Sequence, residues 1–341
     1  MMTRPFTKRY RSARCLAALV AGLMLLAARG YAESGTPLRL ERTIVLPDVQ
    51  GRIDHMAVDL TGERLFVAAL GNNTLEIIDL RVGQRIGRIR GLSEPQGVVY
   101  LPEFQRLFVT NGGDGSCKVF DANSLGLLDT VKFAADADNI RYEPHTKQVY
   151  VGYGAGALGT FDAKTGKHLW DVRLAGHPES FQLEATGPRI FVNVRPANHV
   201  AVIDRNKRGV TAIWPLKDGK ENFPMALDEA NHRLFIGCRN PAKIIIYDTV
   251  AGQTIGRIDI AGDIDDVFYD SKAKRLYASC GEGFIYDFQQ IDPDHYAVMA
   301  KIPTAKGART SLFVPRQGRL YLAVPHRGDQ PAEVRVYAVQ P

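Results

Sequence analysis

The chain is 341 residues long and 45% hydrophobic, with 43 Lys and Arg against 37 Asp and Glu, a formal charge of +6. Six of the basic residues and no acidic one fall in the first 32 positions, which leaves the remainder neutral at 37 against 37. A neutral body lacks the electrostatic footprint of a nucleic-acid binder, so no nucleic-acid partner is expected.

The first element in chain order is a leader. Arg4, Lys8, Arg9, Arg11 and Arg14 precede an apolar run from Cys15 to Ala28, and the small-residue site Gly30-Tyr31-Ala32 follows. This is the pattern of a secretory signal peptide over residues 1–32. The run is shorter than the roughly 20 residues that cross a bilayer. The mature chain, residues 33–341, is therefore expected to carry no membrane span and to be periplasmic or secreted. Length alone allows it one to three domains.

From Leu38 onward the pattern is that of strands. "LRLERTIVL", Leu38 to Leu46, reads as an outer strand standing ahead of the first full unit. Then one phrase recurs: "RLFVAA" at Arg64, "RLFVTN" at Arg106, "QVYVGY" at Gln148, "RIFVNV" at Arg189, "RLFIGC" at Arg233, "RLYASC" at Arg275 and "RLYLAV" at Arg319. The spacings are 42, 42, 41, 44, 42 and 44 residues. Each phrase has the period of a strand and none has that of a helix. An apolar segment precedes it across a polar turn, a Gly, Asn or Pro-rich turn follows, and a third strand usually closes on Asp, at Asp79, Asp121, Asp162, Asp204 and Asp248. With a fourth strand beyond, each unit is a propeller blade. The seventh unit supplies only three strands before Pro341. Leu38–Leu46 is the missing fourth, closing an all-β, seven-bladed ring of four-stranded antiparallel blades as one domain.

"LFVTN", Leu107 to Asn111, and its six counterparts resemble the YVTN repeats of bacterial YncE-like seven-bladed β-propellers, over about Leu38 to Val339. That family includes exported binding proteins alongside relatives of lactonases and of quinoprotein dehydrogenase subunits. The resemblance implies that each blade's first strand lines a central channel. It also implies that the loops leading into those strands share one face with the turns between second and third strands.

Placed on that topology, the loops bring Asp54 and His55, Glu94 and Gln96, Asp136 and Asp138, His177 and Glu179, Glu221, Asp263, Asp265 and Asp266, and Arg309 to the channel mouth. Arg195, Arg239 and His326 join them from the second turns. Asp54, His55, Gln96, Asp136, Asp138, His177, Glu179, Arg195, Arg239, Asp263, Asp265, Arg309 and His326 form the expected ligand-binding set. Two carboxylates about 5 Å apart repel by roughly 3 kcal/mol at an effective dielectric near 20, so so many at one mouth require a cation, an arginine or raised pKa values. Asp138, Asp265, Glu179 and His55 are the chief candidates for a divalent cation. Oxygen donors suit Ca²⁺ or Mg²⁺, and histidine shifts the preference to Zn²⁺. Asp59, Asp228 and Asp270 fall instead in tight turns, where Asp bonds nearby amides.

Other motifs reduce to structure. "DAKTGKHLW", Asp162 to Trp170, resembles the tryptophan-docking repeat of pyrroloquinoline quinone dehydrogenases but occurs once, so Trp170 is read as packing and no quinone cofactor is expected. Cys238 and Cys280 occupy one column of adjacent blades, which at about 10 Å lie too far apart for a disulfide. Ser180 lacks the strand-to-helix elbow of a nucleophile. The expected function is an exported binding platform for a small molecule or a periplasmic protein, as a monomer. One alternative is a metal-dependent lactonase-like hydrolase using His55 or His177 as general acid or base. A second is a subunit of a periplasmic redox or transport assembly.

Overall fold

The computed structural model describes Met1, Met2 and residues 36–340. The expected signal peptide, apart from those two methionines, lies outside the described residues. Among the described residues no helix is long and apolar enough to cross a membrane.

Twenty-eight strands, β1 to β28 in chain order, form seven four-stranded antiparallel sheets in the unit from Pro37. Each sheet is one blade. The inner strands are β2 (Met56–Asp59), β6 (Pro95–Leu101), β10 (Ala137–Glu143), β14 (Pro178–Leu183), β18 (Lys220–Asp228), β22 (Ile264–Asp270) and β26 (Ser311–Val314). The recurring phrase is the second strand of every blade, from β3 (Arg64–Ala69) to β27 (Arg319–Val324). Its residues alternate between two neighbours. Leu65 and Val67 face the seventh blade, while Phe66 and Ala68 face the second. Seven such hydrophobic clusters exist, one between each adjacent pair of blades. The third position of each phrase is always aromatic, and Phe66, Phe108, Tyr150, Phe191, Phe235, Tyr277 and Tyr321 are all buried.

The ring closes as the strand count requires. β1 (Leu38–Val45) pairs antiparallel with β28 (Glu333–Val339), from Leu38 opposite Val339 to Val45 opposite Glu333. Leu38, Ile44 and Leu46 sink into the interfaces of the seventh blade.

The closing aspartates are turn formers. Asp121 Oδ1 accepts the amides of Asn123 and Ser124 at 3.0 and 2.7 Å, and Asp79, Asp162, Asp204 and Asp248 do the same two and three residues on. In the sixth blade the third strand runs on to Asp292, which caps the turn there. Asp59, Asp228 and Asp270 accept amides in the turns between first and second strands, as expected.

The arginine that opens the phrase ties blades together. Arg64 donates to Ala122 O, Arg106 to Ala163 O, Arg189 to Thr249 O and Arg275 to Gln340 O, each a carbonyl just past the third strand of the next blade. Cys117, Cys238 and Cys280 are free and buried. Trp170 packs edge-on against Tyr150 at 5.7 Å between the third and fourth blades.

Candidate functional site

At the start of every inner strand, or just ahead of it, lies a short phrase whose middle residue is buried: Ile53, Pro95, Ala137, Pro178, Asn222, Ile264 and Ala308. The residue after it lines one cavity of about 840 Å³ in all seven blades: Asp54, Gln96, Asp138, Glu179, Phe223, Asp265 and Arg309. The residue before it contributes Arg52, Glu94, Asp136 and His177. Burying the middle residue is what turns its two neighbours toward the channel.

Strict strand alternation would send the next residue away again. Instead His55, Asn139, Ser180 and Asp266 also line the cavity. In blades two to six the inner strand carries a register shift at this point, between Pro95 and Val98, Ala137 and Ile140, Pro178 and Phe181, Asn222 and Met225, and Ile264 and Asp266. Such bulges re-aim side chains and place consecutive residues on one surface. Gly97 holds the equivalent position in the second blade, where a Cβ would stand 2.6 Å from Asp138 O and 2.7 Å from Thr110 Oγ1.

Three clusters occupy the cavity. In the first, His177 lies 3.5 Å from Asp138 and 3.6 Å from Asp136, and its Nδ1 donates to Gly154 O at 2.7 Å. Glu179 accepts from Arg195 Nε at 2.6 Å. Burial disfavours the His177 imidazolium, but its bonds to Asp138 and to the Gly154 carbonyl outweigh this and raise its pKa to about 9. Burial and the neighbouring Asp138 raise that of Glu179, against the pull of Arg195.

In the second cluster Arg239 and Arg309 clamp two carboxylates. Arg309 reaches Asp263 at 2.6 Å and Asp265 at 3.0 Å, and Arg239 bonds Asp265 and lies 3.5 Å from Asp263. Arg239 also stacks 3.5 Å over the Phe223 ring. Burial lowers the Arg239 pKa and raises that of Asp265, each opposed by the other's charge.

The third cluster is formed by buried Asp54, with His55, Asn139 and Asp266. Arg52 pairs with Asp54, His55 lies 3.7 Å from the same carboxylate, and Asn139 Nδ2 is 3.1 Å from His55 Nε2. Burial pushes the Asp266 carboxyl up to about 7, although His55 and the Ser311 amide, 2.6 Å away, favour its charged form. His55 is raised because Asp54, Asp266 and Asp138 together exceed the cost of burying its charge. Arg141, lowered by its own burial, interacts with Asp266 and Asp138.

Of the thirteen residues expected at the site, Asp54, His55, Gln96, Asp136, Asp138, His177, Glu179, Arg195, Arg239, Asp265 and Arg309 line this cavity. Asp263 does not line it but holds Arg309. His326 belongs to a separate depression of about 200 Å³ with Arg52, Ile53 and Arg309. His199 is buried at the start of a third strand, where its carbonyl accepts from Asn222. The four chief metal candidates do not form one set. Asp138 and Glu179 meet with His177, whereas Asp265 is held by Arg239 and Arg309, and His55 faces Asp54 and Asn139. Arg52, Asn139, Ser180 and Phe223 are cavity residues outside the expected set, as is Asp266. Their signal is positional, since each sits in a column of the repeat that its sister blades already mark.

No family model matches the chain. A stretch of 151 residues, 40% of the chain, is 27% identical to eukaryotic translation initiation factor 3 subunit I of Drosophila grimshawi, and the match spans about half of that relative at 46%. Among solved structures, the chain is similar to one from the hydrazine synthase of Kuenenia stuttgartiensis, with a TM-score of 0.73 and 16% identity over 86% of this chain and 98% of that one. It is also similar to a chain of the mitotic checkpoint complex, with a TM-score of 0.76 and 12% identity over the full length of both. At these identities the likenesses speak to architecture, and that architecture is the all-β seven-bladed propeller.

Proposed function

We propose that the protein is an exported, periplasmic propeller of the YncE-like kind that binds a small polar ligand carrying both signs of charge at its channel mouth. One observation carries the reading: all seven blades place the same position of the repeat on a single cavity of about 840 Å³, and six of those seven residues are charged or polar. That volume falls within the roughly 300–1,000 Å³ of small-molecule sites. Carboxylates of the third and fourth blades face one part of the ligand, and the Arg239–Arg309 clamp faces another. The leader pattern supports export.

A thermal-shift screen of polar metabolites, including amino acids and carboxylates, tests this. A ligand at 100 times its Kd should stabilise the protein by about 2.7 kcal/mol. Gln96→Ala should remove that gain while leaving the ligand-free melting point within a few degrees, and Arg309→Gln should remove it while also lowering the ligand-free melting point, because Asp263 and Asp265 lose a partner. A gain that survives both substitutions would place binding elsewhere and refute the reading. Recovery of the chain from the cytoplasm after osmotic shock would refute its export.

A further inference from the structure

We infer that the channel mouth holds one divalent transition-metal ion, of the zinc class, on Asp138, His177 and Glu179. The inference deepens the ligand-binding reading and rests on the same cavity. One donor atom from each of the three residues lies within 4.8 Å of the others, and a side-chain adjustment on the order of 1 Å would draw them to the roughly 3.3 Å separation that bonds of about 2 Å to one tetrahedral ion require.

The histidine is set up as a ligand. Its Nδ1 donates to Gly154 O at 2.7 Å, the way metal-bound histidines anchor their far nitrogen. That fixes the ring and turns Nε2 toward Asp138 Oδ2, 3.5 Å away. Glu179 is fixed in the same manner, because Arg195 engages Oε1 and the carboxylate has a second oxygen to offer.

A separate observation comes from Asn139, which follows Asp138 and lines the same cavity at 3% exposure. One end of its amide meets His55 Nε2 at 3.1 Å, and the other has no partner among the described residues. Buried amide groups are rarely left so; this oxygen is closed off from the cavity as it stands, and a small turn of the side chain would offer it to a water on an adjacent ion. Seven carboxylates line the cavity with four guanidinium groups and two imidazoles.

The donor set selects the ion. Ca²⁺ and Mg²⁺ take six or more oxygens, whereas one imidazole and two carboxylates suit zinc and its neighbours. Three protein ligands leave one position open toward the cavity.

The experiment is isothermal titration of chelator-stripped protein with Zn²⁺ alone, with Ca²⁺ in parallel. One equivalent of Zn²⁺ should bind, and Asp138→Asn, Glu179→Gln and His177→Ala should each weaken it by at least about 10-fold. Circular dichroism of the metal-free variants checks their fold. Should His177→Ala not fold, Co²⁺ absorption of the wild type against Glu179→Gln gives a second reading, with the visible bands expected to shift. The proposal is overturned by absence of stoichiometric Zn²⁺, by affinity that survives all three substitutions, or by equally tight Ca²⁺. Zinc bound here while no organic ligand raises the melting point would leave this inference standing and remove the ligand reading. An organic ligand that binds without any metal site would do the reverse.

Discussion

Asp287 is the one charged residue in a column otherwise made of core. Where the second-strand aromatic pairs with the third strand, the partner is Ile77, Val119, Thr160, Val202, Ile246 and Val336 in six blades and Asp287 in the sixth blade of the ring. Asp287 is fully buried, neither carboxylate oxygen has a hydrogen-bond partner among the described residues, and Arg275 is 3.7 Å away. Burial raises its pKa to about 6, with Arg275 opposing. A raised acid pKa means that the folded state holds a proton the unfolded chain has released, so stability falls as pH rises from about 4 to 6 and stays lower above that. Asp287→Asn should therefore add about 1–3 kcal/mol at pH 8 and nothing at pH 3.5, as measured by urea unfolding at the two values. An equal effect at both would show that the charge is not the cause. The turn and mouth aspartates differ in their partners. Those in turns bond backbone amides, and their place was legible because an Asp two residues before a Gly or polar turn has a local job. At the mouth, Asp54 pairs with nearby Arg52, but Asp138, Asp263, Asp265 and Asp266 bond across blades, over sequence separations that no local pattern records.

At the scale of the strand, the repeat was legible because each phrase is buried on both faces and is apolar at its second, third and fourth positions in all seven blades. The arginine at its head has a reason visible only in three dimensions, in the carbonyl it reaches on the next blade. Arg64→Met keeps the aliphatic stem but removes the bonds to Ala122 O and Asp59. It should cost about 1.5–3 kcal/mol, read by thermal or urea unfolding, and a neutral result would make the residue a mere surface preference. The inner strands show where sequence reading stops. Period-two reasoning allows Asp138 or Asn139 in the channel, and Asp265 or Asp266, but not both. The register shifts admit both members of each pair, because the inner strand leaves its partner's ladder at the mouth and no longer obeys the pleat. The candidate site was thus found by column and completed by the bulges.

For the molecule as a whole, the seven phrases and the three-stranded last unit were sufficient to state the closed ring, since an unpaired edge strand had only one complement left in the chain. That closure has a testable weak point. Ile44 is buried between the first and seventh blades and its neighbour Val45 is half exposed. Ile44→Arg should lower stability by more than about 3 kcal/mol, whereas Val45→Arg should stay within about 0.5 kcal/mol. Equal effects in a melting experiment would mean that the ring does not depend on this strand.

Because Leu38 finds its partner in Val339, the earliest strand to be made must wait for the last. As the chain becomes free to fold from its start, blades one to six can assemble in turn, each against its predecessor, but the first retains a bare flank until Glu333–Val339 follow. A message truncated anywhere before that point yields an open arc with two sticky ends rather than a smaller propeller. The cavity has the same dependence, since the seventh blade's Arg309 completes its wall. Newborn protein should acquire ligand competence in a single late step, after synthesis ends, and not in seven instalments.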